Sequence, residues 1–173
     1  MRVLAVIDMQ RDFIDGVLGT KEAKAILPAV MKKIEEYRKR GDEVIFTRDT
    51  HNEDYLESRE GKKLPVPHCI RGTEGWEIWP EIDTEGSIII DKPSFGSPEL
   101  AETIAEKNSA APLEEVEIIG LCTDICVISN AVMIKNILPE TEVSVDSSCC
   151  AGVMPETHDN ALKAMSMCQI DIK

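Results

Sequence analysis

The chain has 173 residues, 43% hydrophobic and 29% charged, with 32 acidic against 19 basic side chains and a formal charge of -13. That length suits a single domain over 1–173 with a sizeable core, and the apolar fraction excludes a disordered acidic segment. The acidic balance and the lack of any basic stripe argue against nucleic acid or an anionic membrane surface as partner.

Taken in chain order, Val3 to Ile7 is an apolar run of strand length, followed by turn-prone residues through Gly19. From Ala23 to Arg40 the residues Ile26, Val30, Ile34 and Tyr37 recur at helical spacing, and Gly41 stops the helix. Val44–Phe46 reads as a second strand, Ser87–Ile90 as a third and Val116–Ile119 as a fourth. Thr123–Leu138 reads as a helix, Val143–Val145 as a fifth strand, and Pro155–Met167 as a helix with its proline in the first turn. Gln169–Ile172 closes the chain as a short strand. Short apolar strands alternating with amphipathic helices predict a doubly wound α/β domain, a mainly parallel sheet of five or six strands with helices on both faces. The stretch 49–85 is long, charged and aperiodic, as loops that wrap a site are.

The N-terminal apolar run reaches a carboxylate after seven residues, too soon for a secretory segment, and no apolar run approaches the roughly 18 residues that span a bilayer. Six cysteines without zinc-finger spacing therefore fit a reducing, cytoplasmic setting, with at least one thiol free for chemistry.

In a doubly wound sheet, ligands bind beyond the carboxyl ends of the strands. Asp8 follows strand one, Asp49 and His51 follow strand two, and Lys92 follows strand three. G-L-C-T-D-I-C follows strand four. With Thr123 as helix cap, Cys126 would occupy a first helical turn, where free N–H groups favour a thiolate and could hold an oxyanion. Read alone, Cys126 is equally a small buried side chain, Asp8 a turn former and Lys92 a solvated lysine. Together they make a nucleophile, a general base and a cation that orients both. Asp49, His51 and His68, with Glu60 between, could bind a divalent metal, although nothing in the spacing returns His68 to Asp49. Cys149 and Cys150 read as an inert buried pair, Cys168 as core, and His158 as a helix-packing or surface residue. Trp76 and Trp79 either wall the site or anchor the loop. No G-x-G-x-x-G follows strand one and no arginine-bearing phosphate loop follows Cys126, so dinucleotide and phosphatase chemistry drop out.

D-M-Q-R-D-F, R-D-T-H, D-K-P and G-L-C-T-D-I-C-V, in that order, resemble the isochorismatase-like cysteine hydrolases, which include nicotinamidases and N-carbamoylsarcosine amidohydrolases. The resemblance covers roughly Met1 to Met167 and implies a six-stranded Rossmann-like sheet. It also implies a triad of Asp8, Lys92 and Cys126, a cis peptide joining Leu121 to Cys122, and an oxyanion hole from the N–H groups of Cys122 and Cys126. By the same resemblance Asp49, His51 and His68, with Glu60 as in some members, would hold a divalent ion, usually zinc. Phe13 would pack on the substrate ring. Pro65 stands where nicotinamidases often carry a tryptophan, and a third histidine of some members is missing. The expected activity is hydrolysis of a small planar amide, nicotinamide in the first place, by a homo-oligomer. A ureido or carbamoyl substrate, or a silent ligand-binding protein on this scaffold, are the alternatives.

Overall fold

A computed structural model describes all 173 residues. Six strands, β1 (Arg2–Ile7), β2 (Glu43–Asp49), β3 (Ile88–Lys92), β4 (Glu115–Leu121), β5 (Glu142–Ala151) and β6 (Asp171–Ile172), form one sheet. Its order is β3-β2-β1-β4-β5-β6 and every neighbouring pair is parallel. Val3 to Ile7 of β1 are fully shielded at the centre of the sheet, so their unbroken apolar run reflects cover on both faces.

Seven helices connect the strands: α1 (Arg11–Ile14), α2 (Lys21–Ala25), α3 (Leu27–Arg40), α4 (Arg59–Lys63), α5 (Pro98–Ala110), α6 (Ile128–Ile137) and α7 (Pro155–Met167). The single helix expected from Ala23 is divided at Ile26, because Pro28 in the first turn of α3 has no N–H to continue the preceding hydrogen bonds. Gly41, at φ +77°, ends α3 in the left-handed conformation that glycine adopts freely. α3 buries Val30, Ile34 and Tyr37, while α5, α6 and α7 pack in succession on one another. Cys149 and Cys150 are buried as expected, whereas Cys168, at the C-cap of α7, is exposed rather than core.

The connections from β1 through β3 run to one edge, and those from β3 onward run to the other. The reversal makes β1 and β4 neighbours and opens a crevice beyond their carboxyl ends.

Candidate active site

Asp8, the first residue past β1, has φ +49°, a left-handed conformation that aspartate tolerates better than most residues. It is fully buried, its Oδ1 accepts a 2.6 Å hydrogen bond from Thr47 Oγ1, and its Oδ2 lies 2.7 Å from Lys92 Nζ. Lys92 ends β3 two strands away, paired in register with Asp49, so only a long side chain could span β2 to reach the centre. Its ammonium stands 3.4 Å from Cys126 Sγ and 3.3 Å from Asp49 Oδ1, and donates to the Ser94 carbonyl at 3.0 Å. Acid, amine and thiol thus meet at one rim of the sheet.

Cys126 sits in a π-helical turn, Thr123–Val127, rather than in a regular first helical turn. The turn follows a cis peptide between Leu121 and Cys122, at the position the resemblance implied. The cap is Cys122, whose carbonyl accepts from Ile125 and Val127, not Thr123. Thr123 is drawn away because its hydroxyl pairs with His158 Nδ1 at 2.7 Å, which makes His158 a packing residue of α7. Gly120, at φ +118°, lies so close to the Ile7 carbonyl that a Cβ there would run into it, which brings the turn hard against β1.

Electrostatics depart from the expectation of a free thiolate. Burial, reinforced by the Asp8 carboxylate, pushes the Cys126 thiol well above its ordinary range, against the pull of Lys92. Burial likewise raises Asp8, although Lys92 draws it down. Burial would lower Lys92, but the neighbouring Asp8 charge outweighs it and keeps the ammonium protonated. The 2.7 Å contact of Lys92 Nζ with Asp8 Oδ2 has the geometry of a carboxylate–ammonium pair, and the thiol beside it is held neutral.

A second cluster adjoins the first. Asp49 Oδ2 lies 3.0 Å from His51 Nε2 and 3.5 Å from His68 Nε2, and Glu60 Oε1 lies 3.7 and 3.8 Å from the same two nitrogens. His68 returns to Asp49 because residues 69–71 form a parallel bridge with His51, whose N–H bonds the Cys69 carbonyl and whose carbonyl accepts from Arg71. Asp12 Oδ2 accepts from the Cys69 N–H, which fastens the same segment. Glu60 is delivered by α4, capped by the Ser58 hydroxyl.

The donor set fits a divalent ion. His68 Nδ1 is engaged by the Val66 carbonyl at 2.8 Å, leaving Nε2 for a ligand bond, and His51 Nε2 is buried with no hydrogen-bond partner. Two imidazole nitrogens and one or two carboxylates suit zinc and its divalent neighbours. Burial would raise Asp49, but the adjacent His51 and His68 rings and the Lys92 charge hold it ionised, well below the usual carboxylate range.

Both clusters open into one cavity of about 330 Å³, lined by Phe13 among others. The Phe13 ring centroid lies 5.6 Å from that of His68. Trp76 and Trp79 stand outside it: Trp76 bonds Thr50 and stacks under Arg48 at 3.7 Å, so it anchors the loop. Three contributors were not apparent from sequence. Thr47 orients Asp8. Gln10 clamps the Asp49 backbone, donating to its carbonyl at 2.8 Å and accepting from its N–H at 2.7 Å. Asn130 donates to the Cys126 carbonyl at 2.8 Å and to that of Phe95 at 3.2 Å, and accepts from Ser97 N–H at 2.9 Å. Gln10 stands inside D-M-Q-R-D-F, where a buried polar residue directly after a strand was the available signal.

With this geometry established, comparison with known proteins is decisive: the Isochorismatase domain profile matches residues 2–172. The chain belongs to the isochorismatase family. Like its relatives in that family it is a hydrolase. It is 26% identical to the nicotinamidase/pyrazinamidase of Mycobacterium tuberculosis, over 99% of this chain and 98% of that protein. The pyrazinamidase of Pyrococcus horikoshii, solved in complex with zinc, superposes with a TM-score of 0.84 at 30% identity, over 99% of this chain and 98% of that one. The pyrazinamidase/nicotinamidase of Streptococcus mutans gives 0.85 at 26% identity over the full length of both.

Proposed function

We propose that this isochorismatase-family hydrolase is a metal-assisted cysteine amidohydrolase that converts a small planar amide, nicotinamide in the first instance, to the acid and ammonia. Cleavage of an amide C–N bond is the reaction class of its relatives, and the substrate is the finer reading. One observation carries it: the Lys92 ammonium lies 2.7 Å from the Asp8 carboxylate and 3.4 Å from the Cys126 sulfur, all three shielded from water.

The charge arithmetic explains why a thiol so hard to ionise can still attack. Creating a lone thiolate in this buried place would add a net charge to a low-dielectric site. Moving the thiol proton to Asp8 adds none, because a carboxylate–ammonium–thiol set becomes a carboxylic acid–ammonium–thiolate set of the same total charge. The two sites then titrate as one coupled unit. As the proton leaves, the Asp8 charge that opposed the thiolate vanishes, while the Lys92 charge that favours it remains.

The sulfur attacks the amide carbonyl, and the oxyanion is received by the backbone N–H groups of Cys122 and Cys126. Asp8 returns its proton to the amide nitrogen, the C–N bond breaks and ammonia leaves a thioester on Cys126. Asp8 next takes a proton from water, whose oxygen attacks the thioester. The C–S bond breaks, the acid departs, and the sulfur regains its proton. Asp49, His51 and His68, with Glu60, would hold the ion, zinc for preference. When bound, it supplies a Lewis-acidic anchor for a substrate lone pair such as a ring nitrogen. Phe13 supports the ring beside it.

Ammonia release from nicotinamide tests this reading. Cys126→Ala lowers kcat/KM by about 10⁴-fold or more with the fold retained by circular dichroism. Turnover by that variant at the wild-type rate defeats the covalent mechanism.

A further inference from the structure

The cavity holds more than a bare ring amide requires. We infer that its substrate is an uncharged planar carboxamide carrying an apolar substituent, and that amides or ureido compounds bearing a carboxylate are rejected. The inference rests on the amidohydrolase reading above and concerns the part of the cavity that the reaction does not touch.

Its polar groups are confined to one contiguous cluster. Asp49, Glu60 and His68 adjoin one another, and Lys92 links Asp49 to Cys126. The rest of the wall is apolar apart from Thr20 and the Gly152 backbone, and Leu18, Ala23, Leu64, Phe95, Ile125 and Val153 form much of it. About 330 Å³ falls within the roughly 300–1,000 Å³ range of pockets that take drug-sized ligands, so it accommodates more than a single six-membered ring.

The rim shows where the additional group would go. Leu64, Phe95 and Val153 line the cavity yet are 38%, 44% and 49% exposed. They come from three different loops, after α4, β3 and β5, so the apolar mouth is not one strand's stray surface. An alkyl or aryl substituent laid across them would remove apolar surface from water on both partners.

Charge sets the other half of the selectivity. No arginine or lysine lines the cavity, and its two carboxylates, Asp49 and Glu60, belong to the metal cluster rather than to the mouth. The buried Lys92 ammonium is committed to Asp8, Asp49, the Ser94 carbonyl and Cys126, leaving it no open side for a substrate anion. A carboxylate carried on the substituent, out at the apolar mouth of Leu64, Phe95 and Val153, would lose its hydration against hydrocarbon with no cationic side chain there to receive it.

Three amides separate the possibilities: nicotinamide, the same ring with an alkyl or phenyl group, and the same ring with a carboxylate of similar size. The substituted apolar amide is expected to exceed nicotinamide in kcat/KM by about 10-fold or more. The carboxylate analogue should fall at least ~100-fold below it, since an unpaired buried charge discriminates more strongly than a missing methylene. In Phe95→Ala the ratio of apolar-substituted to bare amide should shrink toward one. Ammonia from all three at equal efficiency overturns the substrate class and leaves the amidohydrolase reading standing. Ammonia from none of them overturns both.

Discussion

In the proposed mechanism Asp8 and Cys126 share one proton over a single ammonium, so altering either should change the chemistry of the other. Asp8→Asn removes the charge that helps hold the thiol protonated while Lys92 remains, and the thiol pKa should fall. Titration of thiolate absorbance, or of the alkylation rate against pH, should show Cys126 ionising at lower pH in this variant while ammonia release is lost. An unchanged thiol titration would separate the two groups. At the candidate metal cluster, His68→Ala removes one of the proposed nitrogen ligands and its ordered Val66 contact. Metal affinity should drop by at least ~10–100-fold, read by metal analysis after dialysis, with KM rising. The triad positions were legible because the strand-end rule puts the residue after each apolar run on one rim. Thr47, Gln10 and Asn130 were not, since their roles lie in hydrogen bonds to backbone brought close only by folding.

Among the elements, α6 carries Asn130, the single side chain that ties the nucleophile turn to the loop after β3 and to the start of α5. Asn130→Ala strands the buried Ser97 N–H and frees the Cys126 carbonyl, a loss of roughly 2–4 kcal/mol. Urea unfolding should show that loss, and kcat should fall more than KM rises as the turn drifts from Lys92. The strands were readable from their apolar runs, but α5 was not expected at all. It buries only Leu100, Ala101 and Ile104, too few for a helical stripe, although the Ser97–Pro98 start is a capping signal in plain view. The return of His68 to Asp49 was equally hidden, because a parallel bridge between His51 and Ile70 pairs residues far apart in sequence.

Over the whole molecule, a largely buried charge network joins α3 and the C-terminus to β4 and β5. Lys33 of α3 lies 3.1 Å from Glu117 and 2.8 Å from Asp146, Tyr37 donates to Glu117 at 2.6 Å, and Lys173 pairs with Glu115. Burial would raise Asp146 and Glu115, but hydrogen bonds from Lys33 and Ser148 to one, and from Lys173 and Ser144 to the other, hold both below their usual values. A depressed carboxyl contributes stability above its unfolded pKa, about 3.9 for aspartate and 4.3 for glutamate, and loses it as pH falls through the folded value. The urea midpoint should accordingly vary little from pH 7 to about 5 on account of these groups and drop steeply below about 4. Lys33→Met, which leaves Glu117 and Asp146 without that cation, should destabilise by about 3 kcal/mol at neutral pH.

The strand order has a kinetic corollary. β1 leads into the acid, β2 and β3 carry the candidate ligand and the amine, and β4 leads into the sulfur, yet β1 and β4 pair across the whole of the intervening chain. Such long-range closure is slow, and no half of the sheet contains a working set. A refolding chain should regain its helical signal well before it releases any ammonia, which makes turnover a clock for the last docking event.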